Sequence, residues 1–273
     1  MIPLFEAYGL LGKPYPASNT TERLPYLHLS HCTNLSEEDI VLLSKKGTPI
    51  SSTPDTEAHM SLGYPIALHS TFRSTDTSSN AGLGIDCHSF APSSILLQAR
   101  ALLQLARAQH NDIFLKEDNF PAASMLSSTE EIFNLATIRG ARSLGLENEV
   151  GSIKEGKKAD LVIFDAEGSV GMLSATEFDP LVSVVRFSEA ADIEFVIVDG
   201  KFRKRNRKLV DIETSGDSSV QGHVLQWRQV ADRVRGSQKE IQERIEKLSM
   251  EKGQEALFKA LHVDESRLVD GTV

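Results

Sequence analysis

The stretch LHLSHCTNLSEEDIVLLSKKGTPISSTPDTE (residues 27–57) decides the fold class. Its centre is a helix with readable ends. Ser36 caps an acidic first turn of Glu37, Glu38 and Asp39, the apolar body is Ile40 to Leu43, and Lys45, Lys46 and Gly47 close it. An apolar run precedes this helix at Leu24 to Leu29 and another follows at Thr48 to Ser52. Strand, helix, strand in that order needs a crossover and therefore parallel pairing. A third run, Ala81 to Ile85 (AGLGI), adds a further strand, so the first half of the chain reads as a parallel α/β sheet.

Outward from that core, residues 92–109 (PSSILLQARALLQLARAQ) carry Ile95, Leu96, Leu102, Leu103 and Leu105 at a helical period. Residues 129–143, opened by Ser128 and Thr129 ahead of Glu130 and Glu131, predict another helix. After Gly145 the texture becomes β-rich. Ala159 to Phe164, Leu181 to Phe187 and Ile193 to Val198 read as strands separated by turns such as Asp199-Gly200, which predicts a small domain of about four short strands. From Gly216 onward, Val220, Val224, Trp227, Val230, Val234, Ile241, Ile245 and Leu248 recur in steps mainly of three and four, as in an amphipathic helix. The expected organisation is a partial barrel over 1–145, a β domain over 146–213 and a helical tail over 214–273.

With 40% hydrophobic and 25% charged residues in 273, the chain is globular and long enough to bury a core without disulfides or a structural metal. Its 29 Lys and Arg stand against 38 Asp and Glu, a net charge of −9 that argues against nucleic acid as a partner. The basic run Lys201 to Lys208 reads as a solvated strand end. Cys32 and Cys87 form no C-x-x-C pair, the first residues lack a secretory pattern, and no run reaches the about 18 apolar residues of a membrane span. These features predict a cytoplasmic protein, with the Asn19 and Asn34 sequons unused. Phosphate-loop, dinucleotide and serine-elbow motifs are absent.

Reactive residues follow each predicted strand: His28, His31 and Cys32 the first, Asp55 and Glu57 the second, and Asp86, Cys87 and His88 the third. In a parallel barrel such ends converge on one face. There the sequence resembles the metal-dependent amidohydrolase superfamily, in the branch of cytosine, guanine and adenosylhomocysteine deaminases and triazine chlorohydrolases. FNLATIRGARSLGLENEVGSIKEGKKADLVIFDA (133–166), DPLVSVV (179–185) and VIVDGKFRKRNRKLV (196–210) carry the downstream resemblance. SHCTNLSEEDI and GIDCHS resemble the family's sixth and eighth barrel strands, and STPDTE its seventh-strand loop.

The resemblance implies the C-terminal part of a TIM-like (β/α)8 barrel with a small β domain. It implies Asp86 as a metal ligand and proton acceptor. His31 becomes a ligand or the residue that bonds the hydrolytic water or the substrate, with Glu57, His88 and Ser89 lining the substrate pocket. Zn or Fe is the implied cofactor and hydrolysis of an amino-heterocycle, amide or C–Cl bond the implied reaction. The pairing of STPDTE with GIDCHS looks most like fungal members, many of them in secondary metabolism.

The family's first-strand H-x-H and its fifth-strand His have no counterpart, so the N-terminal half of such an enzyme is expected to be missing. The partners expected are a small-molecule substrate, with association or homo-oligomerisation through the exposed barrel edge. A catalytically inactive remnant serving as an interaction module is the alternative. His28, Cys32, Cys87 and His88 offer a conceivable substitute metal site, and the two cysteines are otherwise expected to pack behind the site.

Overall fold

The structure, a computed structural model, describes residues 1–12, 26–73, 80–88, 91–119, 123–126, 128–214, 224–260 and 262–268. Two compact units divide at the 208/209 junction. Ser89 and Val220 lie outside the described residues, as do Asn19 and Leu24.

In the first unit a helix α1 (Ile2–Ala7) precedes three parallel strands in the order β1 (Leu29–Ser30), β2 (Ile50–Ser52) and β3 (Ala81–Leu83). The register sets Leu29 beside Ile50 and Ile50 beside Ala81, and on the other face Ser30 beside Ser51 and Ser51 beside Gly82. The crossover α2 (Glu37–Lys46) has the expected ends. Ser36 Oγ accepts from the Asp39 N–H at 3.2 Å, and Gly47 leaves the helix in the left-handed region that glycine adopts without penalty.

Short helices α3 (Pro54–His59) and α4 (Ser70–Arg73) follow β2. Then α5 (Ile95–Lys116) turns Ala99, Leu102, Leu103 and Ala106 inward, so the helix begins three residues later and ends seven residues later than its sequence pattern predicts. With Leu43, Ile50, Phe72, Ala81, Ile132 and Leu135 they form the buried core. Full burial of a Leu or Ile contributes about 1.5–3 kcal/mol, and this cluster is the main stabilising mass of the unit.

The helix expected over 129–143 is two: α6 (Thr129–Ala136) and α7 (Ile138–Ser143), broken at Thr137 where φ is −128° and ψ −104°. Ser128 and Glu131 form a full capping box on α6. The break lets α7 lie against β3. A Cβ on Gly82 would sit 3.2 Å from the Gly140 Cα, a contact tighter than side chains ordinarily make, so glycine suits the close approach of these two backbones.

The β-rich segment contains β4 (Leu161–Phe164), β5 (Ile193–Val198), β6 (Lys201–Arg205) and β7 (Lys208–Leu209), in that sheet order, with β4–β5 and β5–β6 antiparallel. The count of four matches the expectation, but its membership does not. Leu181 to Phe187, read as a strand, is helical: α8 (Leu173–Phe178) leads into α9 (Pro180–Val182) and a π-helical turn over Ser183–Phe187. The reason is local. Asp179 Oδ1 accepts from the N–H groups of Leu181 and Val182, and Pro180 presets the first turn, so a start signal outweighs the β-branched composition behind it. Val185 then joins the core, and Arg100 clamps the segment by donating to Val185 O and pairing with Glu189 at 2.8 Å.

In the second unit β8 (Ile212–Glu213) pairs antiparallel with β9 (Val224–Leu225), followed by α10 (Trp227–Ile245) and α11 (Met250–Ala260). Val224, expected in a helix, is therefore in a strand, and the helix starts at Trp227. No helix among the described residues is long and apolar enough to cross a membrane.

Candidate functional site

The C-terminal ends of β1, β2 and β3 lie side by side, and each chain turns sharply as it leaves the sheet. His31 (φ 65°) and Cys32 (φ 59°) follow β1, and Asp86 (φ 56°) follows β3 by three residues. These are left-handed conformations, uncommon for residues with a Cβ and enriched at functional turns. The His31 N–H is held by Ser51 O at 2.9 Å, which pins its backbone to the neighbouring strand.

At the end of β2, Thr53 precedes Pro54 and the first turn of α3. The Glu57 carboxylate folds back so that Oε1 accepts the Thr53 N–H at 2.8 Å, a capping-box reach extended by one residue. Thr53 Oγ1 lies 2.8 Å from His31 Nδ1, and Glu57 Oε1 lies 3.6 Å from the same nitrogen. The Glu57 side chain is fully buried, while the His31 ring remains 31% exposed. Burial pushes the Glu57 carboxyl up to about 7, against the stabilising bonds from Thr53, and the Asp86 charge raises it further. Burial also raises the Cys32 thiol to about 11, aided by the Glu57 charge. Glu57 Oε2 has no hydrogen-bond partner among the described residues. Behind α3, the buried Gln98 accepts the Asp55 N–H at 3.0 Å and ties α5 to this corner.

The expected site residues thus divide. His31 and Glu57 are brought into one hydrogen-bonded corner, with Asp86 close enough to act on Glu57 electrostatically. Asp86, Cys87 and His88 are exposed. Glu57, expected on the substrate pocket, uses Oε1 to accept the Thr53 N–H, and Thr53 and Gln98 are participants the sequence reading missed. A Thr-Pro helix start with a Glu four residues on was the available signal. His28 engages Ser51 Oγ at 2.7 Å and Tyr26, and burial lowers its pKa.

Cys32 packs beside the core as expected, but Cys87 is exposed because the chain has bent away at Asp86. Among the described residues, no three His, Cys, Asp or Glu side chains are arranged to share a metal ion, so the substitute site around His28, Cys32, Cys87 and His88 does not form. The expected ligands Asp86 and His31 likewise fall short of the three protein donors a zinc site needs.

Comparison with known proteins follows the same outline. The chain is 29% identical over 184 residues to a 5-methylthioadenosine/S-adenosylhomocysteine deaminase of Acetivibrio thermocellus, a match covering 67% of this chain and 39% of that protein. It superposes with a TM-score of 0.54 and 27% identity on an adenosine deaminase from Xanthomonas campestris solved with bound zinc, over 68% of this chain and 38% of that one. A mutant of the atrazine chlorohydrolase TrzN from Arthrobacter aurescens, solved with zinc and atraton, shares the fold, with a TM-score of 0.55 at 19% identity over 67% of this chain and 37% of that one. The chain therefore spans about two-fifths of the length of these relatives. The model of the amidohydrolase family matches residues 22–203, which hold all three parallel strands, the split helix and the antiparallel sheet as far as the start of β6, and the chain belongs to that family.

Proposed function

We propose that this chain forms one wall of a hydrolase site that cleaves a C–N bond on an amino-heterocycle, with Asp86 and His31 as its working residues. The juxtaposition that carries the reading is His31, buried Glu57 and Asp86 at the ends of three adjacent parallel strands. Asp86, exposed at the end of β3, accepts the proton of the attacking water. His31, fixed through its Nδ1 side and partly open to solvent, orients that water. His88 and Ser89 follow Asp86 in sequence and line the substrate side in this reading.

Zinc, present in the solved relatives, is the metal the resemblance assigns to the completed site, with donors from outside the described residues required to hold it. Among the described residues β1 and β3 are the edge strands of the sheet, and there further strands, or a second copy, would pair. The finer placement as a fungal-type, secondary-metabolite member rests on the STPDTE and GIDCHS motifs. The inactive-remnant alternative draws on one observation, the shortfall of metal donors.

The test is ammonia release from aminopurine nucleosides, by the chain alone and by the chain joined to the N-terminal barrel half of a relative. The joined protein is expected to turn over with zinc, and Asp86→Asn to lower the rate by about 10²–10⁴-fold. Turnover unchanged by Asp86→Asn removes Asp86 from its role. A joined, folded protein that releases no ammonia favours the remnant.

A further inference from the structure

We infer that Thr53, held in turn by Glu57, is the positioning residue that fixes His31 in its Nδ1–H tautomer and leaves Nε2 as a hydrogen-bond acceptor toward the reacting water.

The chain of contacts has a direction. When ionised, the Glu57 carboxylate can only accept, and Oε1 takes the Thr53 N–H at 2.8 Å. The Thr53 hydroxyl has two neighbours, this carboxylate and His31 Nδ1 at 2.8 Å. A hydroxyl has one proton. Given to the carboxylate, where it makes the stronger charge-assisted bond, it leaves Oγ1 with lone pairs for His31. The Nδ1 position must then carry the proton, and it donates to Thr53. The same carboxylate oxygen, Oε1, lies 3.6 Å from Nδ1 and favours this arrangement by its charge. The opposite tautomer would spend the hydroxyl proton on a ring nitrogen and leave a buried carboxylate, whose Oε2 already has no partner among the described residues, with less compensation.

The device is rigid as well as polar. Thr53 is 5% exposed, its methyl packs 3.1 Å from where a Cβ on Gly84 would sit, and Pro54 holds the following φ. The His31 backbone is tied to Ser51. The ring thus has one supported orientation, which converts His31 from a residue of two possible roles into an acceptor that orients water.

The inference rests on the reading of His31 given under the proposed function, but its test needs no turnover. The 273-residue chain is labelled with 15N-histidine, and the His31 imidazole signals are identified by their loss in His31→Gln. The spectrum is taken at a pH above 8, where Glu57 is ionised. The Nδ1–H tautomer is expected to predominate. Thr53→Val is expected to lower the Nδ1–H to Nε2–H ratio by about fivefold, the factor for one net hydrogen bond. Thr53→Ser, which keeps the hydroxyl, restores it, and this rescue separates positioning from a general loosening of the fold. An Nε2–H tautomer in the unaltered chain, or a ratio that Thr53→Val leaves unchanged, overturns the inference. The expected tautomer together with full turnover in the joined Asp86→Asn protein would instead retain the positioning of His31 and sink the catalytic assignment.

Discussion

The ends of β1 and β2 and the end of β3 carry residues of the same kinds, yet they are built differently. At the first corner His31, Thr53 and Glu57 are joined by short hydrogen bonds over a fully buried carboxylate. At the second, Asp86, Cys87 and His88 stand exposed on a left-handed turn. The first corner is organised by this chain's own helices, since Gln98 of α5 and the first turn of α3 hold it from behind. The contrast is between a preorganised histidine and an open carboxylate, the two residues to which the proposed function gives its working roles.

The largest way to break the contrast is to remove its support. Ile50 is fully buried in β2 directly beneath the first corner, and Ile50→Ala should cost about 2–5 kcal/mol in urea unfolding. A loss below 1 kcal/mol, on the order of a surface change, would show the corner to be loosely packed.

Next is the pH dependence of Glu57. Its folded pKa lies near 7 against 4.5 unfolded, so the folded state binds the proton more tightly. The stabilising contribution is complete below about pH 4.5 and is lost as pH rises through about 7, a fall on the order of 3 kcal/mol. Glu57→Gln keeps an acceptor for the Thr53 N–H and removes the titration. Its stability should be flatter between pH 5 and pH 8 (about 3 kcal/mol less change). Equal slopes in both proteins would contradict the buried carboxylate.

Thiol chemistry separates the corners directly. Cys32, partly buried with its thiol raised to about 11, should alkylate at pH 8 about 100-fold more slowly than an ordinary thiol, while exposed Cys87 labels readily. Equal rates would mean that the β1 end opens as freely as the β3 end. The smallest effect belongs to Asp86→Asn, which should change stability by no more than about 0.5 kcal/mol, because the side chain is exposed and Asn tolerates the same backbone.

Much of this was legible in residues 27–57 because the signals there are local: a serine cap, an acidic first turn, a closing glycine and apolar runs on either side. The same logic, applied less strictly downstream, failed. Leu181 to Phe187 has β-branched content, but Asp179-Pro180 starts a helix, and start signals act on specific N–H groups where composition acts only on average. The break at Thr137 was not legible, since it exists to let Gly140 approach Gly82, a contact between residues 58 positions apart in sequence. His31, Glu57 and Asp86 were found by motif. That Glu57 holds the Thr53 N–H was carried by a separate signal, the Thr-Pro helix start with a Glu four residues on.

The most direct measurement of the central claim is the zinc content of the purified 273-residue chain after exposure to zinc and removal of excess, alongside its Asp86→Asn variant. The account predicts no stoichiometric zinc in either, because the described donors fall short of a three-residue set. One tightly held zinc per chain, lost in Asp86→Asn, would contradict it and show that this chain builds the whole metal site by itself.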